Sequence, residues 1–161
     1  MKQALVLALA LSCATLTAAP ISPGVHAMVL DIAASLGVPR SVADALQIEE
    51  SGWYKTGAWG DSEAIGPVDC YDSRSRGLFA ISQRWQTYLV GKYYPHPPGL
   101  FDVFNPTDNA LVALGYLADL HRRYGTWERA LWFYNCGRVT GVPQSTREYA
   151  KRIINWTKEG R

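Results

Sequence analysis

Leucines at helical spacing are the strongest structural signal in the chain. They recur every third residue, at Leu111, Leu114, Leu117 and Leu120, which places them along one side of an α-helix. Two arginines and then Gly125 follow this run, as is typical of a helix C-terminus. The pattern predicts a long helix over residues 107–124.

Shorter helices are predicted over residues 25–36, 42–51, 78–89, 127–135 and 146–156. Ser41 and Thr126 stand at positions typical of N-caps, and Ser145 with Glu148 matches a capping box. In such caps a side chain bonds a backbone N–H of the first turn that has no partner within the helix.

The remaining segments show no regular period. Residues 52–77 contain five glycines among several aspartates and serines, which indicates a loop or a short hairpin. Residues 93–106 contain four prolines and cannot form a regular element. A chain of 161 residues that is 48% hydrophobic and 19% charged is typical of one globular domain. We therefore predict a mainly α single domain with a polar loop or hairpin insert.

The first 19 residues are interpreted as a secretory signal peptide. One lysine precedes an apolar, small-residue run that is shorter than the roughly 20 residues of a membrane span, and Pro20 follows it. Ser12-Cys13-Ala14 has small residues at the spacing of a cleavage site, whereas cleavage after Thr17-Ala18-Ala19 would place Pro20 just after the cut. Export to the periplasm or cell envelope is expected. Cys13 is a candidate for lipidation, although the residues before it match a lipoprotein signal poorly. Membrane anchoring is expected only if Cys13 is lipidated.

Charge and cysteine content exclude several classes of protein. The formal net charge is only +2, and the basic pair Arg122-Arg123 is interpreted as a solvated helix face, so no nucleic-acid partner is expected. The two cysteines that remain after removal of the leader, Cys70 and Cys136, are predicted to form a disulfide in an oxidising compartment. The chain has no metal-ligand spacing of Cys or His, so no metal is expected.

Two consecutive carboxylates, Glu49 and Glu50, end the predicted helix 42–51. The negative end of a helix dipole disfavours an ionised carboxylate, which suits a general acid. A solvated pair is the ordinary alternative. Periodicity places Glu49 near the middle of the apolar face and Glu50 at its edge, and this difference does not decide between them.

Five separated motifs occur in one order along the chain. They are Glu50-Ser51-Gly52-Trp53, Gly77-Leu78-Phe79, Asn105-Pro106 with Asn109 and Tyr116-Leu117, Tyr134-Asn135-Cys136-Gly137, and Tyr149. Together they resemble the lysozyme-like lytic transglycosylase (SLT) domain over residues 25–156. The resemblance implies a lysozyme-like α+β fold. It also implies cleavage of the β-1,4 bond between N-acetylmuramic acid and N-acetylglucosamine in peptidoglycan strands, with 1,6-anhydro products and no cofactor.

The resemblance also implies roles for single residues. Glu50 corresponds to the single catalytic acid/base, and the predicted substrate-binding residues are Ser51, Phe79, Tyr134, Asn135 and Tyr149. The chain departs from the family pattern where Ala80 replaces a glutamine, and further departures occur at Ala113, Phe133 and Cys136. Loss of the glutamine amide removes a donor to the sugar, which puts substrate position or rate in doubt.

Three functions therefore remain open. Besides the transglycosylase, the chain is compatible with a hydrolytic, goose-type-like lysozyme and with a glycan-binding module that has lost activity. A lysozyme commonly employs a second carboxylate, for which the candidates are Asp61, Glu63, Asp69 and Asp72. Trp53 and Trp59 lie in the polar loop and are candidates for stacking on sugar rings.

Overall fold

The computed structural model describes residues 20–52, 59–68 and 72–158. Several predictions concern residues outside these ranges, namely the leader with Cys13, Trp53, Asp69 and Cys70. None of the described helices is both long enough and apolar enough to cross a membrane.

The described residues form six α-helices and one three-stranded antiparallel sheet of order β1-β2-β3. In chain order the elements are α1 (Pro23–Ser35), α2 (Arg40–Ser51), β1 (Ile65–Val68), β2 (Arg74–Arg76), β3 (Ile81–Ser82), α3 (Gln83–Tyr93), α4 (Pro106–Tyr124), α5 (Trp127–Cys136) and α6 (Gln144–Lys158). A short 3₁₀ turn, Pro98–Leu100, interrupts the proline-rich segment before α4. The prediction of a mainly α domain with a small hairpin region is confirmed.

The leucine-rich helix α4 is the centre of the core. It packs against α1, α3 and α5, while α6 packs against α2 and α5. Leu114 and Leu117 are completely buried, and Leu120 is 1% exposed. Burying a leucine side chain contributes about 1.5–3 kcal/mol, so the periodic leucines stabilise the helix through its neighbours.

The ends of α4 and α5 follow the capping chemistry of their sequence. Asn105 accepts hydrogen bonds from the backbone N–H of Thr107 at 2.9 Å and of Asp108 at 3.3 Å. Gly125 ends α4 with φ +79°, a conformation that glycine adopts without steric cost. Thr126 accepts from the N–H of Arg129 at 3.3 Å, so its predicted role as the cap of α5 is confirmed.

The predicted caps of α2 and α6 are wrong. Helix α2 begins at Arg40 after Pro39, whose ring presets the backbone, and the side chain of Ser41 caps nothing. Ser145 lies inside α6, which begins one residue earlier at Gln144. The Gln144 amide donates to the carboxylate of Glu148 at 3.0 Å, so a different pair stabilises this first turn.

The helix predicted over residues 78–89 begins later than expected. Residues 77–80 form a turn, Ile81–Ser82 pairs with β2, and α3 starts only at Gln83. Strand β3 is two residues long and pairs with β2 across the short turn of residues 77–80. Such pairing leaves no period in the sequence, which explains the error.

Candidate active site

Glu50 lies in the last turn of α2, where α6 packs against it. The hydroxyl of Tyr149, a residue of α6 that is only 6% exposed, donates a hydrogen bond to Oε1 of Glu50. A hydrogen bond from a buried phenol to a carboxylate is among the stronger ones in proteins. The contact orients the carboxyl group of Glu50 and joins two of the predicted site residues.

The neighbouring carboxylate, Glu49, has a different partner. Nε of Arg152 lies 3.1 Å from Oε1 of Glu49, and Nη2 lies 2.5 Å from the same oxygen. Arg152 follows Tyr149 by three residues, so both lie on one face of α6. The same helix therefore binds Glu49 as an ion pair and Glu50 through a neutral hydroxyl.

Burial raises the pKa of Tyr149 well above the ordinary value for a phenol. The negative charge of Glu50 acts in the same direction, and the pKa of Tyr134 is raised for the same two reasons. Both side chains therefore remain protonated at neutral pH. The Tyr149 hydroxyl is therefore a neutral donor to the carboxylate of Glu50, and Tyr134 lies near enough for the charge of that carboxylate to affect its pKa.

The turn formed by residues 77–80 lies beside this pair of tyrosines. The Tyr134 hydroxyl donates to the backbone carbonyl of Phe79 at 2.7 Å. The Phe79 side chain is completely buried in the core, so in this structure Phe79 contributes its backbone to the site. Ala80 has φ +50°, an uncommon conformation for a residue other than glycine.

The side chain of Asn109, in α4, is hydrogen-bonded to the same turn. Its Oδ1 accepts from the N–H of Phe79 at 2.8 Å, and its Nδ2 donates to the carbonyl of Val103 at 2.8 Å. A Cβ atom on Gly77 would lie 2.2 Å from Nδ2 of Asn109, and Gly77 also has φ +75°. Only glycine fits this position, because a side chain would displace Asn109.

Ser51 connects the end of α2 to the turn. Its hydroxyl donates to the carbonyl of Leu78 at 2.7 Å and accepts from the N–H of Asp61 at 3.3 Å. The side chain is completely buried. In this structure Ser51 therefore positions the backbone around Glu50 and presents no surface to a ligand.

Asn135 is exposed near the end of α5 and joins α5 to α6. The Thr146 hydroxyl donates to its Oδ1 at 2.7 Å.

The next residue, Cys136, is the only cysteine in the described parts of the chain, and its sulfur lies 3.6 Å from the carbonyl of Arg138. The disulfide with Cys70 remains a prediction, which titration of free thiols in the unfolded, unreduced protein tests.

A buried polar cluster beside α2 was not predicted from the sequence. Gln47 is completely buried, and its amide donates to the carbonyl of Trp59 at 2.8 Å and lies 3.1 Å from Nδ1 of His26. Nε2 of the same histidine faces Asp44 at 3.4 Å. Burial raises the pKa of Asp44, which the histidine partly offsets. The signal in the sequence was a glutamine on the apolar face, one turn before Glu50.

This cluster holds Trp59 in a defined orientation. The indole stacks on the imidazole of His26, with ring centroids 5.1 Å apart and planes 9° apart. Trp59 as a whole is nevertheless 39% exposed. The backbone of Trp59 also approaches α2 closely, because its carbonyl oxygen would lie 3.0 Å from a Cβ added to Gly52.

The helices around α4, the small sheet and the carboxylate of Glu50 together define a lysozyme-like domain. Residues 28–157 match the model of the Transglycosylase SLT domain family, and the chain belongs to that family. No curated protein and no solved structure matches the chain. Family membership supports a function of the lytic transglycosylase type, acting on peptidoglycan in the cell envelope.

Proposed function

We propose that the protein is a lytic transglycosylase that cleaves the β-1,4 bond between N-acetylmuramic acid and N-acetylglucosamine, with Glu50 as its single acid/base. The observation that carries the proposal is the different environment of the two glutamates. Glu49 is bound to the cation Arg152, whereas the neutral hydroxyl of Tyr149 binds Glu50. A cation strongly favours the ionised carboxylate, whereas a neutral partner permits a carboxyl group to hold and release a proton.

The reaction requires the same carboxyl group twice. Protonated Glu50 first donates its proton to the bridging glycosidic oxygen, the bond from that oxygen to C1 breaks, and an oxocarbenium-like centre forms at C1 of the muramic acid residue. Ionised Glu50 then accepts the proton of the C6 hydroxyl of that sugar. The C6 oxygen bonds to C1 and closes a 1,6-anhydro ring, so no water is consumed and Glu50 returns to its starting state.

The surrounding contacts support this use of Glu50. Tyr149 orients the carboxyl group, and its neutral phenol adds a hydrogen-bond dipole directed at the carboxylate. The hydroxyls of Ser51 and Tyr134 fix the turn of residues 77–80 from two sides, through the carbonyls of Leu78 and Phe79. The exposed indole of Trp59, supported by His26, provides a surface on which a sugar ring stacks.

Hydrolysis is the second candidate, because an acidic residue, Asp61, is bound through its backbone to the end of α2. The N–H of Asp61 bonds to Ser51, and Oδ1 of Asp61 accepts from the N–H of Glu63 at 2.9 Å. In a lysozyme such a carboxylate directs water to C1. The third candidate, an inactive binding module, rests on Ala80 in place of the family glutamine.

Mass spectrometry of the soluble products from purified sacculi separates the three candidates. We expect 1,6-anhydro-muropeptides, lighter by one water (about 18 Da) than hydrated products and without label in ¹⁸O-water. Mainly hydrated, labelled products would establish the lysozyme. Absence of soluble products would leave the binding module, provided that the protein still sediments with sacculi.

The location of peptidoglycan makes export part of the proposal. The substrate lies in the cell envelope, and the leader over residues 1–19 is proposed to deliver the protein there. Determination of the mature N-terminus tests this step and the cleavage site together.

A further inference from the structure

We propose that α3 and the C-terminal turn of α4 form a second peptidoglycan-binding surface, separate from the residues that hold Glu50. The inference rests on the proposed function. The surface, called the α3 patch below, comprises Arg84, Trp85, Tyr88, Lys92, Arg122 and Arg123. Helix α3 packs on α4, β2 and β3, whereas Glu50 lies in the last turn of α2, which packs against α6.

Two large aromatic rings of the α3 patch face solvent. Trp85 is 56% exposed and Tyr88 is 58% exposed, while Leu89 and Val90 on the other side of α3 are buried. Trp85, Tyr88 and Lys92 follow one another at helical spacing and therefore lie along one stripe of the helix. Neighbouring exposed aromatic residues are unusual in a soluble domain and often mark a binding surface.

Cations border both rings. The guanidinium of Arg84 lies 5.7 Å from the centroid of the Trp85 ring, and the ammonium of Lys92 lies 6.0 Å from the centroid of the Tyr88 ring. Helix α3 contains these two cations and no acidic residue. The stripe therefore combines flat apolar faces with positive charge.

The last turn of α4 extends the positive charge. Arg122 and Arg123 lie 3.2 Å and 3.9 Å from the carboxylate of Asp119, which Lys92 also contacts at 2.9 Å. Hydrogen bonds from Lys92 and Tyr93 lower the pKa of Asp119 to about 2, so it remains ionised. Three cations, Lys92, Arg122 and Arg123, share the one carboxylate of Asp119, which leaves this end of the α3 patch with a net positive charge.

Peptidoglycan has the chemistry that matches both features. The apolar faces of its pyranose rings stack on indole and phenol rings. Its stem peptides carry free carboxylates, which complement the arginines and the lysine. The α3 patch therefore selects glycan that still bears peptides, and it retains the enzyme on the wall while the site at Glu50 holds the bond to be cleaved.

The test compares binding with cleavage. In a Glu50→Gln background, which prevents turnover, sedimentation with intact sacculi measures binding, and the double variant Trp85→Ala/Tyr88→Ala is expected to bind about tenfold more weakly. Replacing both Arg122 and Arg123 by glutamine is expected to reduce binding and its dependence on salt. Leu100→Ala, at a site that is 68% exposed, is the matched control and is expected to bind normally.

With Glu50 intact, the aromatic double variant is expected to release muropeptides from sacculi more slowly but to cleave short soluble fragments at the normal rate. Unchanged sacculus binding by a folded double variant would overturn the proposal. An equal loss on short fragments would also overturn it, since the rings would then belong to the site at Glu50. Preferential binding of the protein to vesicles of anionic lipid, dependent on the same rings, would overturn it as well. If the parent protein yields no product but sacculus binding still depends on the rings, the proposed function fails and the α3 patch stands.

Discussion

Replacing Asn109 by alanine is expected to lower the free energy of unfolding by about 2–4 kcal/mol. Asn109 is completely buried and makes three side-chain hydrogen bonds, to Phe79 N and Val103 O at 2.8 Å each and to Arg76 O at 3.3 Å. Each bond contributes about 0.5–1.5 kcal/mol net, and a buried group left without its partner costs about 1–3 kcal/mol. A destabilisation of this size lowers the melting temperature by roughly 5–15 °C in a domain of this length.

Thermal and urea unfolding measure this effect, and Asn105→Ala is the matched control. Asn105 is an exposed N-cap on the same helix, so the loss of its bonds to the first turn is expected to cost only about 1 kcal/mol. Well below the melting temperature, Asn109→Ala is also expected to slow cleavage, because the turn that carries the acceptor of Tyr134 is no longer held. The reasoning is refuted if Asn109→Ala is no more destabilising than Asn105→Ala.

Three further predictions concern the carboxylates. Glu50→Gln is expected to abolish release of soluble muropeptides, with a loss of about 10²–10⁴-fold, whereas Glu49→Gln is expected to keep substantial activity. If the Glu49 variant were inactive and the Glu50 variant active, the assignment of the catalytic residue would be reversed. Tyr149→Phe is expected to remain folded but to cleave about tenfold more slowly, and near-ultraviolet circular dichroism checks the fold. A normal rate of cleavage would show that the Tyr149 hydroxyl does not orient Glu50. Asp119→Asn is expected to destabilise the protein by about 1 kcal/mol at neutral pH, after allowance for solvent screening. Because the folded-state pKa of Asp119 is lowered to about 2, this contribution to stability is present above about pH 4 and is lost as the pH falls towards 2. Urea unfolding should therefore show a lower stability of the Asp119→Asn variant at pH 7 and nearly equal stabilities of the two proteins at pH 2.

The choice between the two adjacent glutamates shows the limit of helical periodicity. The pattern placed Glu49 near the middle of the apolar face of α2, and its side chain is indeed only 10% exposed. Its burial nevertheless reflects an ion pair with Arg152, a residue of α6 at a distance of 103 positions in the chain. No property of residues 42–51 alone indicates which carboxylate meets a cation and which meets a tyrosine.

Local chemistry determined the features that the sequence revealed by itself. The leucine period of α4, the cap at Thr126 and the glycine at position 125 depend on neighbours within a few residues, so the sequence is sufficient to locate them. The order of the five motifs indicated the family in the same way, because each motif is a short local pattern.

Only the tertiary structure decided the contacts between distant segments. The hydrogen bond from Asn109 to the turn of residues 77–80 and the stacking of Trp59 on His26 join residues that are about 30 positions apart in the chain. Whether a glutamine or an asparagine is solvated or buried depends on which surface packs over it, and many other segments contribute to that packing. The carboxylate of Glu50 acquires its partner Tyr149, which lies 99 residues further along the chain, only when α6 packs against the end of α2.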